Sequence, residues 1–132
     1  MKKILIVDDQ FPFTSVLSEC FTDLGYICET RDCGWDAVDL LKEKRDYFDL
    51  IISDFSMPMG NGKYILESMK SENIKTPIVF LTGDSCTEFN VEMIMLGALR
   101  CFPKPFGLFK FIKEIQNILI ELEQDKESLK AA

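Results

Sequence analysis

Short apolar runs alternate along the chain with longer stretches in which apolar residues recur every three or four positions. The first pattern reads as buried strand and the second as amphipathic helix. Residues 3–7 form the first run, which stops at Asp8-Asp9. Residues 13–24 read as a helix with Val16, Leu17, Cys20, Phe21 and Leu24 on one side and Gly25 as its stop. A strand over 26–30 follows, then a helix over 35–44 with Trp35, Val38 and Leu41 inward and Leu40 beside them. A third strand over 49–53 ends at Asp54, and Pro58, Gly60 and Gly62 mark 57–62 as a loop. The pattern then predicts a helix over 63–71, a strand over 77–81 ending at Thr82-Gly83, and a helix over 85–96. A short strand over 99–102 ends near Lys104, and a last helix over 106–122 carries Phe109, Ile112, Ile115, Leu119 and Leu122 on one stripe. Five strand–helix units predict one α/β domain, a parallel sheet covered on both faces. The expected domain spans 1–123, with 124–132 as a polar, frayed tail.

Composition narrows the function classes. At 132 residues the chain holds one core, and 47% apolar with 28% charged residues excludes a disordered polymer. The formal charge of -7 repels phosphate backbones, so direct nucleic-acid binding is not expected. No apolar stretch approaches a signal core or a membrane span, which predicts a soluble cytoplasmic protein. The five cysteines, Cys20, Cys28, Cys33, Cys86 and Cys101, are odd in number and form no C-x-x-C pair, so they read as free thiols. There is no histidine, which excludes an imidazole base, ligand or phosphocarrier within the chain.

The chemistry sits where the strands end. Asp8-Asp9, Asp54, Thr82 and Lys104 each close a predicted strand. Ligands of open parallel sheets bind beyond the carboxyl ends of the strands, where strand order reverses. In a flavodoxin-like order, 2-1-3-4-5, strands one and three lie side by side there, so the three carboxylates would share one crevice. Such a cluster needs cationic help to stay ionised. Lys104 offsets one charge, and a hard divalent cation such as Mg²⁺ would offset the rest. A carboxylate beside that cation is suited to attack phosphorus, with a lysine and a hydroxyl neutralising the equatorial oxygens. Gly60-Asn61-Gly62-Lys63 does not fit a phosphate-binding P-loop, because Met57 and Tyr64 stand where glycine and Ser/Thr belong.

The strings IVDD at 6–9, DFSMPMGNG at 54–62, LTG at 81–83 and GALRCFPKPF at 97–106 resemble the signatures of bacterial response-regulator receiver domains. The similarity runs over residues 2–122. It implies a phosphoacceptor switch of two-component signalling, not a conventional enzyme. Asp54 would accept the phosphoryl group. Asp9 would bind Mg²⁺ directly, Asp8 through water or by shaping the site, and the Ser56 backbone carbonyl would be a further ligand. Thr82 would turn toward the phosphoryl oxygens, Lys104 would pair with Asp54 and then with the phosphoryl group, and the Lys104–Pro105 bond would be cis. Ser56 and Asp84 match positions flanking the path of the hydrolytic water; Asp84 reads equally as a helix N-cap. The implied donor is a histidine kinase or histidine phosphotransfer protein. The implied output is a protein partner or a second copy, engaged through the fourth helix, fifth strand and fifth helix.

One position departs from the family pattern. An aromatic residue usually stands three before the lysine, and here it is Cys101, while Phe102 should face the other way. On the fourth helix Phe89, Met93 and Leu96 read as core, and Val91, Ile94 and Met95 as a partner surface. Trp35 reads as core packing. Two other readings compete with the switch. One is a receiver-like module that binds without phosphorylation, for which Cys101 leaves room. The other is a Mg²⁺-dependent phosphohydrolase, for which Asp8-Asp9-Gln10 lacks the D-x-D arrangement.

Overall fold

A computed structural model describes residues 2–83, 87–104 and 107–131. Its elements run β1 (Lys3–Val7), α1 (Phe11–Asp23), β2 (Ile27–Arg31), α2 (Gly34–Glu43), β3 (Leu50–Asp54), α3 (Gly62–Ser71), β4 (Ile78–Thr82), α4 (Thr87–Met95), β5 (Arg100–Pro103) and α5 (Leu108–Ala131). All strand pairs are parallel, and the sheet order is β2-β1-β3-β4-β5. This is the flavodoxin-like order, with its reversal between β1 and β3.

The alternation of strand residues divides the core into two layers. Leu5, Val7, Ile51, Ile78 and Phe80 pack with Ala37, Leu41, Ile65, Met69 and Met93 of α2, α3 and α4. Ile4, Ile6, Leu50, Ile52, Val79, Leu81 and Phe102 pack with Leu17 and Phe21 of α1 and Ile112, Ile115 and Leu119 of α5. Both faces of β1, β3 and β4 are dry, which is why these strands read as unbroken apolar runs.

Several inward assignments shift. Thr14, Leu17 and Phe21 form the buried stripe of α1, while Val16 and Leu24 are exposed, off that stripe. Trp35 is not core: it is 52% exposed at the start of α2, where the chain is still turning in from the loop. On α5 the stripe is Phe111, Ile112, Ile115, Ile118 and Leu119. Phe109 lies well off its centre and is 85% exposed. Leu96, just past the end of α4, is exposed, whereas Met93 is buried and Phe89 half-buried. The expected frayed tail is helical through Ala131. Its residues are good helix formers with no breaker, and Lys126 lies 3.9 Å from Asp49 at the base of the sheet. Lys2 and Glu123 pair close by. Among the described residues no helix is long and apolar enough to cross a membrane.

Candidate functional site

The site is assembled from the ends of strands. β1 and β3 are neighbours with Val7 opposite Ser53, so Asp8 and Asp54 leave the sheet side by side. Asp8 and Asp54 continue the alternation of Ile6 and Ile52, and Lys104 continues that of Phe102, all toward the α1–α5 layer. The Lys104 amide donates to the Thr82 carbonyl at 2.7 Å, which carries the β4–β5 ladder one step further and aims the lysine back over the crevice.

Asp8 is 2% exposed and Asp54 8%, whereas Asp9 is exposed. Carboxylate oxygens of Asp8, Asp9 and Asp54 lie within 4.8 Å of one another. Lys104 Nζ stands 3.2 Å from Asp8 Oδ2 and 3.6 Å from Asp54 Oδ1. Only the first is within hydrogen-bond reach, so in this state the lysine leans toward Asp8. Asp8 Oδ1 also accepts from the Gln10 amide at 2.9 Å, which orients the carboxylate. Burial pushes the Asp54 carboxyl above its ordinary value; Lys104 opposes this, while the charges of Asp8 and Asp9 add to it. One ammonium does not balance three carboxylates. The remaining negative charge suits a hard cation with oxygen ligands, so the donor set fits Mg²⁺.

Thr82 is buried at the end of β4. Ser56 lies exposed in the loop after β3. Asp84, Cys86 and Pro105, with its expected cis bond, lie outside the described residues. The loop over 57–61 delivers Asn61 to cap α3, its side-chain oxygen accepting from the Tyr64 amide at 3.0 Å. Beside Asp8 and Asp9 a cleft of about 340 Å³, lined also by Phe11, Thr14, Thr30 and Arg31, opens to solvent. A larger cavity of about 540 Å³ lies away from the carboxylates, among mostly apolar residues of the α3–α4 side, including Met69, Ile74 and Leu99.

Cys101 is half-buried against the α2–α4 layer, and Phe102 packs on the opposite layer against Phe111, with ring centroids 5.2 Å apart. The two residues therefore face as the alternation predicts. Burial pushes the Cys101 thiol up, away from thiolate reactivity. Sequence reasoning missed Phe13. Its ring lies 5.1 Å from Lys104 Nζ, and no periodicity in α1 signals a contact with a lysine at residue 104. Asp32, Cys33 and Asp36 also come together at the start of α2, a grouping that no spacing in the sequence signals. There the Cys33 sulfur accepts from the Asp36 amide as an N-cap.

The sequence matches the family profile of the response regulator receiver domain over residues 4–116. The chain belongs to that family. Receiver domains are regulatory phosphoacceptor domains and generally bind Mg²⁺ at an acidic pocket. Response regulator SaeR of Staphylococcus aureus is 28% identical over 124 residues, covering 94% of this chain and 53% of the relative. The receiver thus spans about half the length of the curated relatives it matches. Among solved structures, chemotaxis response regulator CheY4 of Vibrio cholerae is 33% identical with a TM-score of 0.79, covering 89% of this chain and 98% of that one. The receiver domain of Francisella response regulator 1452 is 27% identical with a TM-score of 0.81, covering 92% and 98%.

Proposed function

We propose that this receiver domain is a switch that takes a phosphoryl group onto Asp54. The observation that carries the reading is the placement of the Asp54 carboxylate, nearly buried, beside Asp8 and Asp9 and 3.6 Å from the Lys104 ammonium. Asp8, Asp9, Asp54 and the Ser56 backbone carbonyl would hold Mg²⁺. When bound, the ion would neutralise the carboxylates and the phosphoryl oxygens.

An Asp54 oxygen attacks phosphorus in line with the leaving group. A new P–O bond forms as the donor's P–N or P–O bond breaks, and the leaving group departs with that bonding pair. Lys104 turns from Asp8 and Asp54 to the phosphoryl oxygens. The Thr82 hydroxyl donates to the same oxygens. Thr82 ends β4 and the Lys104 amide donates to the Thr82 carbonyl, so both side chains move from fixed backbone positions at the strand ends. The donor class is a histidine kinase or histidine phosphotransfer protein in the cytoplasm. The output is a protein partner or a second copy at α4, β5 and α5, where Val91, Ile94 and Met95 are exposed. No direct contact with nucleic acid or membrane is part of this reading.

Acetyl phosphate with Mg²⁺, followed by peptide mass mapping, tests the proposal. One phosphoryl group is expected on Asp54, none in Asp54→Asn, and none with chelator. A folded protein that stays unmodified, and that shows no spectral response to beryllofluoride, would overturn it.

A further inference from the structure

We infer that Phe13 is a positioning residue for Lys104: its ring face holds the ammonium between Asp8 and Asp54, where the incoming phosphoryl group must be met. This deepens the proposed function and rests on it for its kinetic consequence.

The geometry is specific. Lys104 Nζ lies 5.1 Å from the centroid of the Phe13 ring, inside the range at which the negative face of an aromatic ring attracts a cation. The same nitrogen lies 3.2 Å from Asp8 and 3.6 Å from Asp54. The ammonium is therefore held by two carboxylates and a ring. A lysine on a four-carbon stem has many rotamers, and two carboxylates at unequal distance do not by themselves choose one that serves Asp54. The ring supplies attraction without a competing hydrogen-bond acceptor, so it restrains the nitrogen and leaves its protons for oxygens.

The placement of Phe13 follows from the chain around it. α1 begins directly beyond the acidic pair, with Pro12 in its first turn, and the amides of Phe13 and Thr14 both donate to the Gln10 carbonyl. The Gln10 amide in turn donates to Asp8 Oδ1. One short segment thus orients the carboxylate that pairs with Lys104 and presents the ring that lies against it. Phe13 also packs against the α1–α5 core layer, so its ring has an anchored edge. That packing is the competing explanation for its presence. The two are separable, because fluorine withdraws charge from the ring face while nearly preserving its shape.

The experiment introduces 4-fluoro- and 3,4,5-trifluorophenylalanine at position 13 alone, with Phe13→Leu as a third variant. Phosphorylation by acetyl phosphate and Mg²⁺ is timed, and the Lys104 ε-methylene resonances are recorded. The rate is expected to fall stepwise with fluorination, by about threefold to tenfold at the trifluoro ring, with the melting temperature unchanged. The Lys104 resonances are expected to move in the same order. Equal rates and stationary resonances across the series overturn the inference. If the unmodified protein takes no phosphate, the switch reading fails instead, and the Lys104 resonances alone decide whether the ring holds the ammonium.

Discussion

The ring of Phe55 stands edge-on to that of Phe89, with centroids 4.8 Å apart and planes at 89°. Phe55 directly follows Asp54, and Phe89 lies in the first turn of α4. Phe55 also meets Phe80 of β4 edge-on at 5.6 Å. Cys101, at the position where the family usually carries an aromatic ring, joins the same half-buried set. Aromatic contact from the acidic site to α4 therefore runs through the loop after β3. Phe89→Ala is expected to cost about 2 kcal/mol of stability. It should also suppress the beryllofluoride-induced amide shifts at residues 91–95 while Asp54 is still phosphorylated. Full-size shifts in that variant would remove Phe89 from the route.

Asp54 makes stability depend on pH in a stated direction. Its carboxyl is held above the ordinary value, chiefly by burial, so the folded protein keeps this proton to higher pH than the unfolded chain does. The contribution of this group is greatest below the unfolded value and is lost as pH rises through the folded one. Asp54→Asn removes the charge and should raise stability at neutral pH by roughly 1 kcal/mol, a few degrees in melting temperature. The gain should vanish as the pH drops below the ordinary aspartate range. Melting curves of both proteins over that range, without divalent cation, decide the matter.

Mg²⁺ should reverse that ordering. Any ion that binds only the folded protein stabilises it by mass action. The parent protein is expected to gain more from added Mg²⁺ than Asp54→Asn, because the variant lacks one of the three carboxylates proposed to hold the ion. Equal gains would place the ion elsewhere.

Lys104→Met should slow phosphorylation on the order of 100-fold, the loss typical of removing one charge-stabilising donor. It should leave Mg²⁺ binding intact or tighter, since a competing cation is gone. Rate and affinity, measured separately, distinguish this from general damage to the pocket.

Two glycines separate contact from conformation. A Cβ on Gly34 would sit 2.3 Å from the Gly60 carbonyl oxygen, which is backbone and cannot step aside. Gly34→Ala is expected to cost about 3 kcal/mol. Gly25, at φ +97°, has nothing within 4 Å of such a Cβ, so Gly25→Ala should cost only the left-handed conformation, about 1 kcal/mol. Chemical denaturation of the two variants measures the difference.

The candidate site was legible because polar residues end apolar runs. Asp8, Asp54 and Thr82 each break a strand pattern, and strand ends are where parallel sheets place their ligand sites. Pro58 and Gly60 were legible as turn residues for a similar reason, as turn chemistry is local, whereas Gly62 opens α3 and the Asn61 cap carried no reading from the sequence. Trp35 and Phe109 were misread as core because side-chain type does not say which way a helix start faces. The helix beyond residue 122 was missed because polarity was taken for fraying, whereas ion pairs to Asp49 and Lys2 lie far apart in sequence.

The order of apolar and polar positions determined the parallel α/β class, the strand ends, and the residue types available for phosphoryl chemistry. Folding alone decided that Lys104 leans toward Asp8, that burial lifts the Asp54 carboxyl, and that Phe13 underlies the lysine. Periodicity is a property of neighbours along the chain, while charge balance and burial belong to groups that only the folded sheet brings within a few ångströms.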